Sequence, residues 1–119
     1  MGIIIMNSIQ MQQCQSIIRK ACIAVGLLAG GAYKDNVYAT DYEIRKVQIR
    51  MLMKIGQVFG REISKRDAKL ELKKYGIYVH SMDIPILGNI ADANANIFAT
   101  RLIGKQFVRK LQIQMGKEG

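Results

Sequence analysis

One histidine and two cysteines are the side chains in this chain best suited to nucleophilic or metal-binding chemistry. Cys14 and Cys22 are eight residues apart. On one helix that spacing is about 12 Å of rise, too far for a disulfide. They are expected to be free thiols in a reducing compartment. His80 has no Cys or second His near it in sequence, so no metal-ligand cluster is expected, and a loop histidine is the plainer reading. Asp35, Asp41, Glu43, Glu62, Asp67, Glu71, Asp83 and Asp92 are scattered over helix starts and polar faces, where capping explains several without catalysis. The chain contains no GxxxxGK followed by Ser or Thr, no GxSxG and no HExxH. The expectation is a protein that is not an enzyme and has no catalytic, cofactor-binding or metal-binding residues.

Charge is the more informative chemistry. Eighteen Lys and Arg stand against nine Asp and Glu, a formal net charge of +9. Such an excess favours anionic partners: anionic lipid, an acidic protein surface or nucleic acid. A merely solvated surface accounts for it equally well. Aromatics are few and not interleaved with the basic residues, so the stacking platform of a single-strand binder is missing and nucleic acid is the weakest of the three. The basic residues fall in two rows. Lys46, Arg50 and Lys54 share one helical face, and Lys65, Arg66, Lys69 and Lys73 share another. These seven are the expected contacts to an anionic surface.

The elements that carry those rows read as helices. With 119 residues, half of them hydrophobic, no Trp and one Pro, the chain is expected to form a single all-α domain. Its architecture would be a small bundle of about four helices with a long C-terminal one, and residues 1–7 and 115–119 would be flexible ends. The expected helices are 8–31, 41–59, 65–75 and 86–114. The central one is residues 40–60, TDYEIRKVQIRMLMKIGQVFG, where Thr40 and Glu43 form a capping box and Gly60 supplies the stop. Its apolar line is Ile44, Val47, Met51, Ile55 and Val58. Ser64 with Asp67 starts the next helix and Gly76 ends it, leaving residues 77–82 as an extended piece or loop. Asp83 caps the last helix and Pro85 suits its first turn. Met51, Ile55 and Phe59 are expected to pack on Ile90, Ile97 and Phe98.

The first helix becomes apolar nearly all round after Lys20, so it needs burial in a core, a partner or a bilayer surface. No segment reaches the roughly 18–20 apolar residues of a spanning helix. Gly26 and Gly30 form one GxxxG, a weak signal for close helix approach. Arg19 and Lys20, the apolar run ACIAVGLLAGGA and then Val37-Tyr38-Ala39 follow the order of a secretory signal. The alternative reading is therefore a small exported protein with a signal peptide over residues 1–39 and a mature helical domain starting at Thr40.

Three stretches together suggest a family. They are IIRKACIAVGLLAG at residues 17–30, residues 39–72 with Asp41, Gln48, Met51, Phe59 and Gly60, and residues 84–107 with Ile84, Pro85, Gly88, Ala91 or Ala95, Thr100 and Gly104. The pattern resembles the helical domain of unknown function that follows the GTP-binding domain in bacterial Era-like GTPases and occurs in related inner-membrane proteins. The resemblance implies a non-enzymatic helical module, acting at a membrane surface or as partner of a GTPase or another protein. It implies a place in the cytoplasm or on the periphery of the inner membrane. It also implies that the stretch matching residues 21–32 belongs to the fold rather than to a leader. This chain departs from the family in lacking a GTPase domain, in carrying GGAYKDNVYATD where Pro-rich turns are usual, and in its short tract before the last helix.

Overall fold

The computed structural model describes the backbone over residues 8–29, 37–81 and 89–118, and side chains over 8–29, 42–75 and 94–116. Among the described residues four helices make up the fold: α1 (Ser8–Leu27), α2 (Val37–Val58), α3 (Lys65–Ser81) and α4 (Asn89–Glu118). Among the described residues there is no strand. This is the all-α bundle with a long C-terminal helix that the hydrophobic spacing demands.

α1 packs mainly on α4 and then on α2, α3 packs on α2 and touches α4, and among the described residues α1 does not contact α3. Cys14, Ile18, Ala21, Cys22 and Val25 form the buried stripe of α1, at the three- and four-residue steps of one helical face. On α2 the buried set is Ile44, Gln48, Ile49, Met51, Leu52 and Ile55, followed by Phe59 just past the helix; Leu52 and Ile55 are fully buried. Ala68 and Leu72 of α3 close one side, and Ala99, Thr100, Ile103, Phe107 and Leu111 of α4 close the other.

Two close contacts set the helix spacing. The Gln48 amide donates to Thr100 Oγ1 at 3.0 Å, and that hydroxyl donates to the Asn96 carbonyl at 2.7 Å. Both side chains are buried, so this pair satisfies polar groups that would otherwise be costly to bury. One turn further on, Gly104 lets α1 and α2 approach α4 together. A Cβ there would lie 2.7 Å from Ile18 Cγ1 and 3.2 Å from Met51 Sδ.

The α2–α3 connection follows from local sequence. Gly60 adopts φ 72°, the Arg61 amide donates to the Gly56 carbonyl at 2.8 Å, and the Gly60 amide donates to the Gln57 carbonyl at 3.0 Å. This is a Schellman stop. Ser64 Oγ then accepts from the Asp67 amide at 3.0 Å and caps α3.

Three expectations are corrected. α2 begins at Val37, so Thr40 lies inside the helix and is not its cap; the residues ahead of Val37 lie outside the described set. α3 runs through Gly76 to Ser81, which puts residues 77–81, including His80, in a helix. A mid-helix glycine costs about 1 kcal/mol and does not by itself stop a helix; unlike Gly60, no positive φ is imposed there. The regular part of α1 ends at Leu27 and a π turn follows over 28–29, while residues 30–31, where the helix is expected to close, lie outside the described residues. Phe98 is half exposed and not in the core. It is two residues from the buried Thr100, about 200° around the helix, and so faces away. Ile97 is partly buried against the core as expected, while the Ile90 side chain, Asp83 and Pro85 lie outside the described residues.

Candidate functional site

Two surfaces concentrate chemistry. The first is a cleft of about 270 Å³ between α2 and α3. Arg45 and Lys46 line it from α2, and Lys65, Lys69 and Lys73 line it from α3. The three lysines follow at four-residue steps, so one face of α3 presents them in a row. Ile49 and Leu72, both buried, form the floor, and among the described residues no carboxylate lines the cleft. Lys46 Nζ lies 4.5 Å above the Tyr42 ring and 3.6 Å from Glu43 Oε1.

Of the seven residues expected to contact an anionic surface, the fold brings Lys46, Lys65, Lys69 and Lys73 together at this cleft. Arg50, Lys54 and Arg66 are exposed but do not line it. Arg45 was not singled out by the helical rows, because it joins the set only when α3 packs against α2.

The second surface is an open groove of about 880 Å³ between α1 and α4. Cys14, Ile18, Cys22 and Ile97 line its base. Met11, Ile23 and Leu27 stand along it exposed, with Leu27 71% and Ile23 57% accessible. Arg19, Arg101 and Lys105 also line it, and all three are exposed. Neither α1 nor residues 94–116 of α4 contain a single Asp or Glu. One clue to this face lay in the sequence. Arg101 lies four residues after Ile97 on the same helical face, placing a charge where an all-buried line would need an apolar residue.

The thiols at the base of the groove are quiet. Burial pushes both Cys14 and Cys22 above their ordinary pKa; Arg101 and Lys105 oppose the shift at Cys22 without cancelling it. Neutral, buried thiols are poor nucleophiles.

A third polar cluster joins α3 to α4. Lys110 Nζ donates to both Glu71 oxygens at 2.6 and 2.8 Å, and Tyr75 Oη donates to Glu71 at 3.2 Å. Burial pushes the Glu71 carboxyl up, but the hydrogen bonds and charge of Lys110, aided by Lys74, outweigh it and hold the pKa below the ordinary value. Burial and the Glu71 charge push the Tyr75 phenol well above its ordinary value. Among the described residues, no group of three or more His, Cys, Asp or Glu is placed to hold a metal ion. Among the same residues, no helix is long and apolar enough to cross a membrane.

No protein-family model, curated protein or solved structure matches this chain.

Proposed function

We propose that this protein is a non-enzymatic helical module that docks reversibly on an anionic lipid surface through its α1–α4 face. The observation that carries the reading is the composition of that face. Exposed Ile23, Leu27 and Met11 lie beside exposed Arg19, Arg101 and Lys105, on helices with no acidic residue in the described groove. Interfacial helices combine these two features, an apolar edge for the acyl boundary and cations for the headgroups. Each Lys or Arg near an anionic surface contributes about 1 kcal/mol, and burying a Leu or Ile side chain adds roughly 1.5–3 kcal/mol. A few groups together are enough for reversible binding.

The packing of α1 supports a peripheral rather than an inserted geometry. The base of the groove is closed by the core, through buried Cys14, Ile18 and Cys22, so only the exposed edge of α1 is free to meet a surface. A chain lacking residues 1–39 would lack this wall, which favours the membrane-surface module over the exported alternative.

Co-sedimentation with vesicles tests the proposal. Binding is expected with phosphatidylserine-containing vesicles and not with neutral phosphatidylcholine, with release in high salt. Ile23→Ser combined with Leu27→Ser should weaken it at unchanged helicity, since both side chains already face solvent. Absence of pelleting with anionic vesicles at low salt would refute the reading. So would pelleting that resists both salt and alkaline carbonate.

A further inference from the structure

We propose that the α2–α3 cleft binds a compact polyphosphate group, carried either by a free small molecule or by a phosphorylated lipid headgroup. Five cationic side chains converge on it from two helices, and among the described residues no carboxylate lines it, although Lys46 also pairs with Glu43 at its edge. Lys65, Lys69 and Lys73 are like charges at four-residue steps, an arrangement that weakens an isolated helix. A bound polyanion removes that repulsion. Arg45 adds a planar fork and the lysines add point charges, the two modes in which proteins hold phosphates.

Size and shape narrow the ligand. The cleft, at about 270 Å³, is smaller than the roughly 300–1,000 Å³ pockets that enclose whole cofactors. Each four-residue step along α3 rises about 6 Å, so the lysine row extends about 12 Å. A single orthophosphate can engage only part of that row, whereas linked phosphates can follow it. The buried floor of Ile49 and Leu72 keeps water from one side and strengthens the charge interactions. Nucleic acid fits less well, because Tyr42 is the one ring at the cleft and already lies under Lys46.

The site is distinct from the α1–α4 groove, since among the described residues none lines both. Its test therefore stands apart from the vesicle experiment. Isothermal titration of the full chain with sodium tripolyphosphate, near physiological ionic strength, should show saturable one-to-one binding, with orthophosphate far weaker. Lys65→Gln combined with Lys69→Gln should weaken tripolyphosphate binding roughly ten- to hundredfold. Lys20→Gln combined with Arg109→Gln removes the same charge from exposed positions outside the cleft and should change it less than about threefold. Circular dichroism of both variants verifies that the fold is kept. Equal losses in the two variants would reduce the binding to net charge and overturn the site, as would absence of saturation or equal affinity for orthophosphate. Vesicles bearing a bisphosphorylated inositol headgroup, compared with phosphatidylserine vesicles of equal charge, identify the source. A preference abolished by the Lys65 and Lys69 substitutions assigns the headgroup, and tight tripolyphosphate binding without that preference assigns a free polyphosphate.

Discussion

Gly104→Ala tests the packing of α1, α2 and α4 at the point where they come closest. Two effects oppose each other. Alanine favours the helix over glycine by about 1 kcal/mol. Against that, the new Cβ would sit 2.7 Å from Ile18 Cγ1, 3.0 Å from Ile18 Cδ1 and 3.2 Å from Met51 Sδ. The first two belong to a side chain held in the core, and contacts this short force repacking at typically 1–3 kcal/mol. The net expectation is a loss of up to about 2 kcal/mol. Ile18→Ala removes both offending carbons and by itself should cost roughly 2–5 kcal/mol. In that background Gly104→Ala should change sign and stabilise by up to about 1 kcal/mol, because the propensity gain and some cavity filling are then opposed only by the Met51 Sδ contact, at the end of a flexible side chain. Urea denaturation of the four species, followed by circular dichroism, gives the cycle directly. If Gly104→Ala stabilises the parent as much as it does the Ile18→Ala background, α1 does not press on α4 at this glycine.

Thr100→Val should cost roughly 1–3 kcal/mol, because it strands the buried Gln48 amide that now donates to the Thr100 hydroxyl. Adding Gln48→Leu should recover much of the loss in the same urea titration. Glu71→Gln should cost roughly 1–2 kcal/mol, since it breaks the Lys110 pair while leaving Lys110 able to reach water. The Glu71 pKa is held below its ordinary value, so the pair's contribution is complete above about pH 4.3 and fades as pH falls through the folded pKa. The parent should therefore lose more stability than Glu71→Gln on acidification below that point, and parallel curves would contradict the assignment.

What could be read from sequence was what local chemistry decides. Gly60 stops α2 because positive φ is needed there, and Ser64 with Asp67 starts α3 because the hydroxyl reaches a free amide three residues on. The line Met51, Ile55 and Phe59 is buried because three- and four-residue spacing allows it no other common face. The misread features depend on neighbours. Gly76 and Thr40 carry the right residue types for a boundary, yet both lie inside helices that continue past them. The facing of α4 turned on a rotation of a few residues, which brought Thr100 inward and left Phe98 outside. Four of the seven expected anionic contacts share a cleft, but Arg45 could be added only once α2 and α3 were packed. The GTPase partner rests on the resemblance alone, and several of the residues that suggest it have packing reasons here. Gln48 bonds Thr100, and Met51 lies against Gly104.

The two cationic surfaces need not act as one. Charges exposed to water are screened over about 8 Å at physiological salt. The Arg19, Arg101 and Lys105 set belongs to α1 and α4, whereas the cleft belongs to α2 and α3, and among the described residues α1 makes no contact with α3. A lipid surface lying along α1 would therefore act on the first set most strongly. The apolar side chains divide in the same way. Ile23 and Leu27 stand exposed along the α1–α4 groove, while Ile49 and Leu72 are buried under the α2–α3 cations. An exposed apolar edge is useful only against something apolar, and a covered apolar floor strengthens charge recognition from above. On this ground the proposed membrane contact is assigned to α1 and α4, and the proposed recognition of a discrete anion to α2 and α3.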